Sequence, residues 1–231
     1  MKLLLSADTH GKVPEITEKV DLALIAGDFA KGDALRKMIF EKGDPEVAKK
    51  EILESSKEFL SKIKQLNCPI VVSLGNAEEF CKEDVIKMIK AEGINYKKNS
   101  LIILKGIKIL SLNFFVEEWW ARKYRAERQQ TIDRAIKEEK ELNEVFDKIK
   151  SVDIIISHLP PYGVLDEDQG LNNKGDNAGS KLLRNFILKI KPKLVVCGHI
   201  HVPGEVKLGE TLIINPGEQK VIEFNNKKNK K

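Results

Sequence analysis

Seven short stretches of the chain are predominantly apolar: Leu3 to Leu5, Leu22 to Ala26, Ile70 to Leu74, Leu101 to Leu104, Ile107 to Leu112, Ile154 to Ile156 and Leu194 to Val196. Runs this short, without polar alternation and separated by helical patterns, predict buried strands of an α/β layer protein. Between Glu46 and Leu66 the apolar residues Val47, Ile52, Phe59, Leu60, Ile63 and Leu66 mostly recur at helical spacing. Leu182, Leu183, Phe186, Ile187 and Ile190 do the same between Ala178 and Ile190. Each pattern predicts an amphipathic helix covering a sheet. Residues 116–150 carry the longest helical pattern, with Ile132, Ala135, Ile136, Leu142, Val145, Phe146 and Ile149 on one face, and are expected to form a lid or an interface. The last stretch differs: Gly204 to Lys207, Thr211 to Ile214 and Lys220 to Phe224 are strand-like pieces joined by Gly-containing turns, which predicts an antiparallel finish.

With 231 residues, 42% of them hydrophobic, the chain is expected to form one domain over 1–224, followed by a disordered basic tail over 225–231. Lys227, Lys228, Lys230 and Lys231 supply most of the net charge of +5, so no basic face points to nucleic acid. The three cysteines, Cys68, Cys81 and Cys197, are odd in number and lack C-x-x-C spacing, which argues against a disulfide framework and for the cytoplasm. No apolar run approaches the roughly 18 residues needed to span a bilayer, and the start, MKLLLSADTH, reaches an acidic residue too soon for a signal peptide. A soluble protein without membrane attachment is expected.

The chemistry lies just beyond the end of each strand. Leu3 to Leu5 runs into Asp8 and His10, Leu22 to Ala26 into Gly27 and Asp28, and Ile70 to Leu74 into Gly75 and Asn76; Ile154 to Ile156 leads to His158, and Leu194 to Cys197 leads to Gly198, His199 and His201. Loops at the carboxyl ends of strands form the ligand crevice of α/β sheets. All four histidines of the chain lie at these ends. Asp8 and His10, like His199 and His201, are two residues apart, and in extended backbone such side chains leave on the same side. The glycines at 27, 75 and 198 permit sharp turns off the strands. Two carboxylates, one amide oxygen and four imidazoles are too many donors for one ion. With one carboxylate bridging, two divalent ions each receive four protein ligands. A nitrogen and oxygen set without thiolate favours Mn, Fe, Zn, Ni or Co over Ca or Mg. Two such ions lower the pKa of a shared water and clamp phosphoryl oxygens, which points to phosphoester hydrolysis.

The order Asp8-Thr-His10, Gly27-Asp28, Gly75-Asn76, His158 and Gly198-His199-Ile200-His201 resembles the calcineurin-like metallophosphoesterases across nearly the whole chain. His158-Leu-Pro-Pro-Tyr-Gly and Asn215-Pro-Gly resemble the small prokaryotic phosphodiesterase branch. The resemblance implies two packed mixed β-sheets with helices on the outer faces. It implies that Asp8, His10, Asp28 and His201 hold one metal and Asp28, Asn76, His158 and His199 the other, with Asp28 bridging, and that Mn is the expected metal. It makes Asp28, Asn76 and His199 the expected catalytic residues, and a hydroxide between the ions the nucleophile. One departure stands out: the family usually has a general-acid His after Gly-Asn, and position 77 is alanine. Such a group is typically worth a factor of about 10² to 10⁴. Glu78 and Glu79 are alternative proton donors, with solvated surface carboxylates as the favoured reading.

The stretch Gly170 to Gly179 offers backbone amides, Lys174 or Asn177 to a substrate phosphate, or else turns the chain into the next helix with Asp176 or Asn177 as cap. Asn76 and Asn177 are the expected substrate contacts. Of Trp119 and Trp120, one is expected at a lid or interface, since adjacent aromatics cannot share one core; Phe114 and Phe115 are expected in the core. The expected partner is a small phosphoester, with a homodimer as the candidate assembly. The competing reading is a metal-binding scaffold with weak or no catalysis, favoured by Ala77 and opposed by the complete ligand set.

Overall fold

The computed structural model describes residues 1–15, 18–168 and 175–225. Lys174, the start of the Gly170 to Gly179 stretch and the tail beyond Asn225 lie outside the described residues. In chain order the first half contains β1 (Lys2–Ser6), β2 (Leu22–Ala26), α1 (Asp33–Glu41), α2 (Pro45–Ile63), β3 (Ile70–Ser73), α3 (Asn76–Glu79), α4 (Lys82–Ala91), β4 (Ser100–Leu104) and β5 (Ile107–Leu112). The second half contains α5 (Glu118–Tyr124), α6 (Gln129–Lys148), β6 (Ile154–Ser157), α7 (Lys181–Ile190), β7 (Leu194–Val196), β8 (Gly204–Leu208), β9 (Thr211–Asn215) and β10 (Lys220–Glu223).

The strands form two mixed sheets, one in the order β10-β1-β2-β3 and the other β4-β5-β6-β7-β9-β8. Within them β1, β2 and β3 run parallel, as do β5, β6, β7 and β9, while β10, β4 and β8 are antiparallel additions at the edges. The parallel strands β1, β2, β3, β6 and β7 are almost wholly apolar because both faces are buried, and alternate residues enter different cores. Leu3, Leu5, Leu22 and Leu24 meet Ile109, Ile154, Ile156, Val196 and Ile214 between the sheets. Leu4, Ala23, Ile25, Ile70 and Val72 face outward onto Leu35, Ile52, Phe59, Leu60 and Ile89 of α1, α2 and α4. On the far side Leu110, Ile155, Val195 and Ile213 receive Leu142 and Phe146 of α6 and Leu183, Phe186 and Ile187 of α7. At roughly 1.5 to 3 kcal/mol per fully buried large apolar side chain, these three layers dominate the stability.

Several expectations change in detail. The 116–150 segment is two helices, not one, with the break at Arg125–Arg128, where Ala126 is the one apolar residue. Val47 and Ile136, assigned to inner faces, are exposed. The antiparallel finish holds for the β8–β9 pair, but β9 also pairs parallel with β7, and β10 crosses to the other sheet to lie antiparallel to β1. Neither Asp176 nor Asn177 caps α7. Ser180 does, its Oγ accepting from the Leu183 N–H at 2.8 Å. The buried Glu117 carboxylate reinforces it, accepting from the N–H groups of Lys181 and Leu182 at 3.0 Å, where a negative charge meets the positive end of the helix.

Glu117 also accepts from Trp119 Nε1 at 2.8 Å, and the Trp119 ring stands edge-on to Tyr162. Trp120 turns the other way, into a small cluster of Val116, Ala121, Ile132 and Ala135. Phe114 is in the core, whereas Phe115 is half-buried beside His158, 6.5 Å between ring centroids. No helix among the described residues is long and apolar enough to cross a membrane.

Candidate metal centre

Every predicted ligand lies past the carboxyl end of a parallel strand or opens the helix after it: Asp8 and His10 after β1, Asp28 after β2, Asn76 at the start of α3, His158 after β6, and His199 and His201 after β7. Their convergence does not come from extended backbone, as the spacing of two residues suggests. Asp8, His10, Asp28, His199 and His201 all have left-handed backbone, with φ between 46° and 74°. Such conformations cost a non-glycine residue roughly 1 to 2 kcal/mol each and cluster at functional sites. Asp8 and Asp28 hold theirs through the sheets: the Asp8 N–H donates to the Gly27 carbonyl at 3.1 Å and the His10 N–H to the Asp28 carbonyl at 3.0 Å.

Two glycines make room for the carboxylates. A Cβ on Gly75 would stand 2.1 Å from Asp28 Oδ1, and one on Gly198 would stand 2.8 Å from Asp8 Oδ2. The role of Gly75 is therefore close approach rather than turning, since its φ of −101° is open to any residue.

The donor atoms fall into two groups sharing Asp28. Asp8, His10, Asp28 and His201 each offer one atom, all within 4.8 Å of one another. Ligands on opposite sides of an ion at about 2.2 Å would be about 4.4 Å apart, so the set closes on a cation with little movement. His10 Nε2 and His201 Nε2 face each other at 3.1 Å. Asp8 Oδ1 accepts from the His199 N–H at 2.9 Å, while Oδ2 is buried with no hydrogen-bond partner. An orphaned buried carboxylate oxygen is costly unless a cation answers it. In the second group Asn76 Oδ1 lies 3.0 Å from His158 Nε2 and 3.1 Å from His199 Nδ1, and Asp28 Oδ2 lies 3.5 Å from the same His158 nitrogen. His158 Nδ1 donates to the Ala26 carbonyl at 2.8 Å, which orients Nε2 toward the cluster as outer partners of ligating histidines do. The donor set is nitrogen and oxygen throughout, and the residues fit divalent cations.

Electrostatics agree with a site that needs positive charge. Burial pushes the Asp8 carboxyl up, only partly offset by His158. Burial also works against ionisation of Asp28, but His158 and the Ala77 N–H, which donates to Asp28 Oδ1 at 2.8 Å, hold it well below the usual range. Burial would lower His158, yet Asp28 and Asp8 carry it up to about 9. His199 goes down to about 4 through loss of hydration and the neighbouring His158.

Glu78 is not a solvated carboxylate. It is fully buried, accepting from the N–H groups of Gly75 at 2.7 Å, Ala30 at 2.8 Å and Asp28 at 3.0 Å, and burial with the nearby Asp28 charge raises it to about 7. It clamps the β2 loop that carries Asp28 to the β3 loop that carries Asn76. Glu79 pairs with Lys82 at 2.9 Å and Arg134 at 3.1 Å, tying α6 to the same loop. The Asn177 amide donates to the buried Asp166 at 2.8 Å and lines a hollow with Val202, not the cleft that opens on the metal cluster. That cleft, about 490 Å³, is bounded by His10, Asp28, Asn76, His199 and His201 on one side and by α1 on the other. The pattern of strand ends does not reveal the α1 wall, although the apolar residues at 35, 38 and 39 have helical spacing.

The β-sandwich fold is shared with known proteins. The chain is 25% identical to an uncharacterized protein of Methanocaldococcus jannaschii over 99% of this chain and 94% of that one. Its fold is similar to that of the phosphopantetheinyl hydrolase of Mycobacterium tuberculosis, with a TM-score of 0.60 and 10% identity over 92% of this chain and 87% of that one. It is similar also to a protein of Thermus thermophilus, with a TM-score of 0.55 and 13% identity over 94% and 89%. Residues 1–203 match the model of the calcineurin-like phosphoesterases, so the metal-binding cluster sits in a chain that belongs to the calcineurin-like phosphoesterase family.

Proposed function

We propose that the chain is a dinuclear metal-dependent phosphodiesterase acting on a small phosphoester. The observation that carries this reading is the position of Asp28, whose carboxylate takes part both in the group with Asp8, His10 and His201 and in the contact with His158 beside Asn76 and His199. Bound there, two divalent ions, Mn being the first choice, would activate a water and polarise phosphoryl oxygens. The protein supplies the rest. Asp28 neutralises charge between the two groups and is kept in place by the Ala77 N–H and by Glu78 behind it. Asn76 and His199 stand at the edge of the cleft, where a phosphate would arrive, and His158 is fixed by the Ala26 carbonyl.

Ala77 leaves the cleft without the family's usual proton donor, and Glu78 does not replace it, since both its oxygens are held by backbone N–H groups. Good leaving groups are therefore the preferred substrates, which favours diesters with acidic alcohols over simple alkyl esters. The three free cysteines fit a reducing compartment such as the cytoplasm. The absent general acid also supports a second reading, a metal-binding module with little catalysis. Hydrolysis of bis-p-nitrophenyl phosphate by metal-stripped protein reloaded with Mn separates the two, because nitrophenolate needs little acid assistance. Turnover that a chelator abolishes supports the enzyme; bound metal without turnover supports the module.

A further inference from the structure

The cleft does not end at the metal cluster. Its opposite wall is α1, which contributes Leu35, Arg36, Ile39 and Phe40. Leu35 is buried, and Ala34 and Met38 pack against the core, so the inner face of α1 is already used. Ile39 and Phe40 are nonetheless 54% and 75% exposed, two large apolar side chains in succession at the mouth of a polar site. Arg36, three and four residues before them, shares their side of the helix and forms no ion pair among the described residues. Asp33 lies on the same rim, which therefore offers both hydrogen-bond donors and acceptors.

The path from the cluster to α1 is lined by the two smallest side chains available. A Cβ on Gly32 would meet only the Ala77 Cβ, at 3.7 Å, and both residues border the cleft. A histidine at position 77 would occupy that passage. Alanine there costs a proton donor and opens a connected space in which a phosphate at the cluster can keep a bulky group on α1.

We propose that this face of α1 binds the organic group of the substrate, and that this group is a planar aryl or heteroaryl ring. The ring lies on Ile39 and Phe40, with Arg36 and Asp33 at its edge. An exposed aromatic and an aliphatic side chain recognise a ring face, an arginine stacks on or hydrogen-bonds to it, and a carboxylate accepts from ring N–H groups. This assignment rests on the phosphoesterase reading of the metal centre, which places the phosphate.

The test is binding rather than turnover. Phenylphosphonate and methylphosphonate are titrated calorimetrically into the Mn-loaded full chain, into an Ile39→Ala/Phe40→Ala double variant and into Gly32→Val. Burying a phenyl face should make phenylphosphonate at least about tenfold tighter than methylphosphonate in the parent protein. The double variant should bring the two within about twofold of each other by removing that apolar contact, and Gly32→Val should narrow the gap by obstructing the passage. Both exposed positions tolerate alanine without loss of core, and thermal melts verify it. Equal affinities in the parent, or a preference kept in the double variant, overturns the proposal while leaving the phosphoesterase reading intact. A preference lost together with a dimer-to-monomer change in light scattering also overturns it, because the face then belongs to a second copy. If neither phosphonate binds the Mn-loaded protein, the reading of the metal centre fails, and this proposal with it.

Discussion

His10 Nε2 and His201 Nε2 stand 3.1 Å apart although 191 residues separate them in the chain. Both are accessible and both lie beside buried Asp8, whose Oδ2 has no partner, so the pair and the carboxylate together form a pocket for a cation. Replacing either histidine by alanine is expected to lower metal affinity by more than the factor of about 10 to 100 typical of changes to outer partners of a metal site. Metal content after dialysis measures it, and thermal stability of the metal-stripped variants should stay close to that of the parent.

The clamp made by Glu78 predicts a different pattern. Glutamine at 78 removes one of the two oxygens that answer three backbone N–H groups and turns an amide donor toward them. The expected loss is about 1 to 3 kcal/mol, the range for leaving a buried donor unsatisfied. Denaturant unfolding of metal-stripped Glu78→Gln gives the value, and weaker metal binding should accompany it because Asp28 and Asn76 are no longer held in register.

Close approach at Gly75 sets a third expectation. The new Cβ of Gly75→Ala would overlap Asp28 Oδ1 at 2.1 Å and the Asp28 nitrogen at 2.3 Å, so the loop must move. A cost of about 3 kcal/mol and a strong loss of metal are expected from overpacking of this kind. Gly209→Ala is the control: it has φ of 61° but nothing within 4 Å of the added carbon, and should cost only about 1 to 2 kcal/mol with metal binding unchanged.

Protonation of the cluster fixes the pH dependence of the metal-stripped protein. Asp28, depressed from 3.8, contributes stability above that pH that is lost as pH falls further. Glu78 is raised from 4.5 to about 7 and His158 from 6.5 to about 9, so their contributions are complete below 4.5 and 6.5 and disappear as pH rises through about 7 and about 9. His199, lowered from 6.5 to about 4, works the other way below 6.5, so the stripped protein should hold a level stability in weakly acidic solution and lose it as pH rises above about 6.5. A divalent ion held by His158 would take over the role of its proton, so loading at neutral pH should release protons and extend stability to more alkaline pH. Melting curves across pH, with and without metal, check both statements.

Much of this candidate site is legible in the sequence because strand ends are where α/β folds gather ligands, and each candidate ligand lies close after an apolar run. The backbone by which they converge is not legible. Left-handed conformation at Asp8, His10, Asp28, His199 and His201 is imposed by contacts between loops distant in sequence, such as that between the Asp8 N–H and Gly27, and no local propensity announces it. Glu78 reads as a surface acid for a similar reason: in sequence it is one of two adjacent acids before a polar helix, and only the three N–H groups brought to it by β2 and β3 make burial tolerable. The α5–α6 break is hidden because Arg125–Arg128 carries no proline or glycine.

Two ions working together at one cluster would leave their mark in a manganese titration of the metal-stripped chain, with bound metal and bis-p-nitrophenyl phosphate hydrolysis recorded together. The predicted result is a rate that rises to its plateau as the second equivalent binds, and an Asp28→Asn variant that reaches neither the stoichiometry nor the rate. Full turnover in the stripped protein, or two bound equivalents with no turnover, would contradict it.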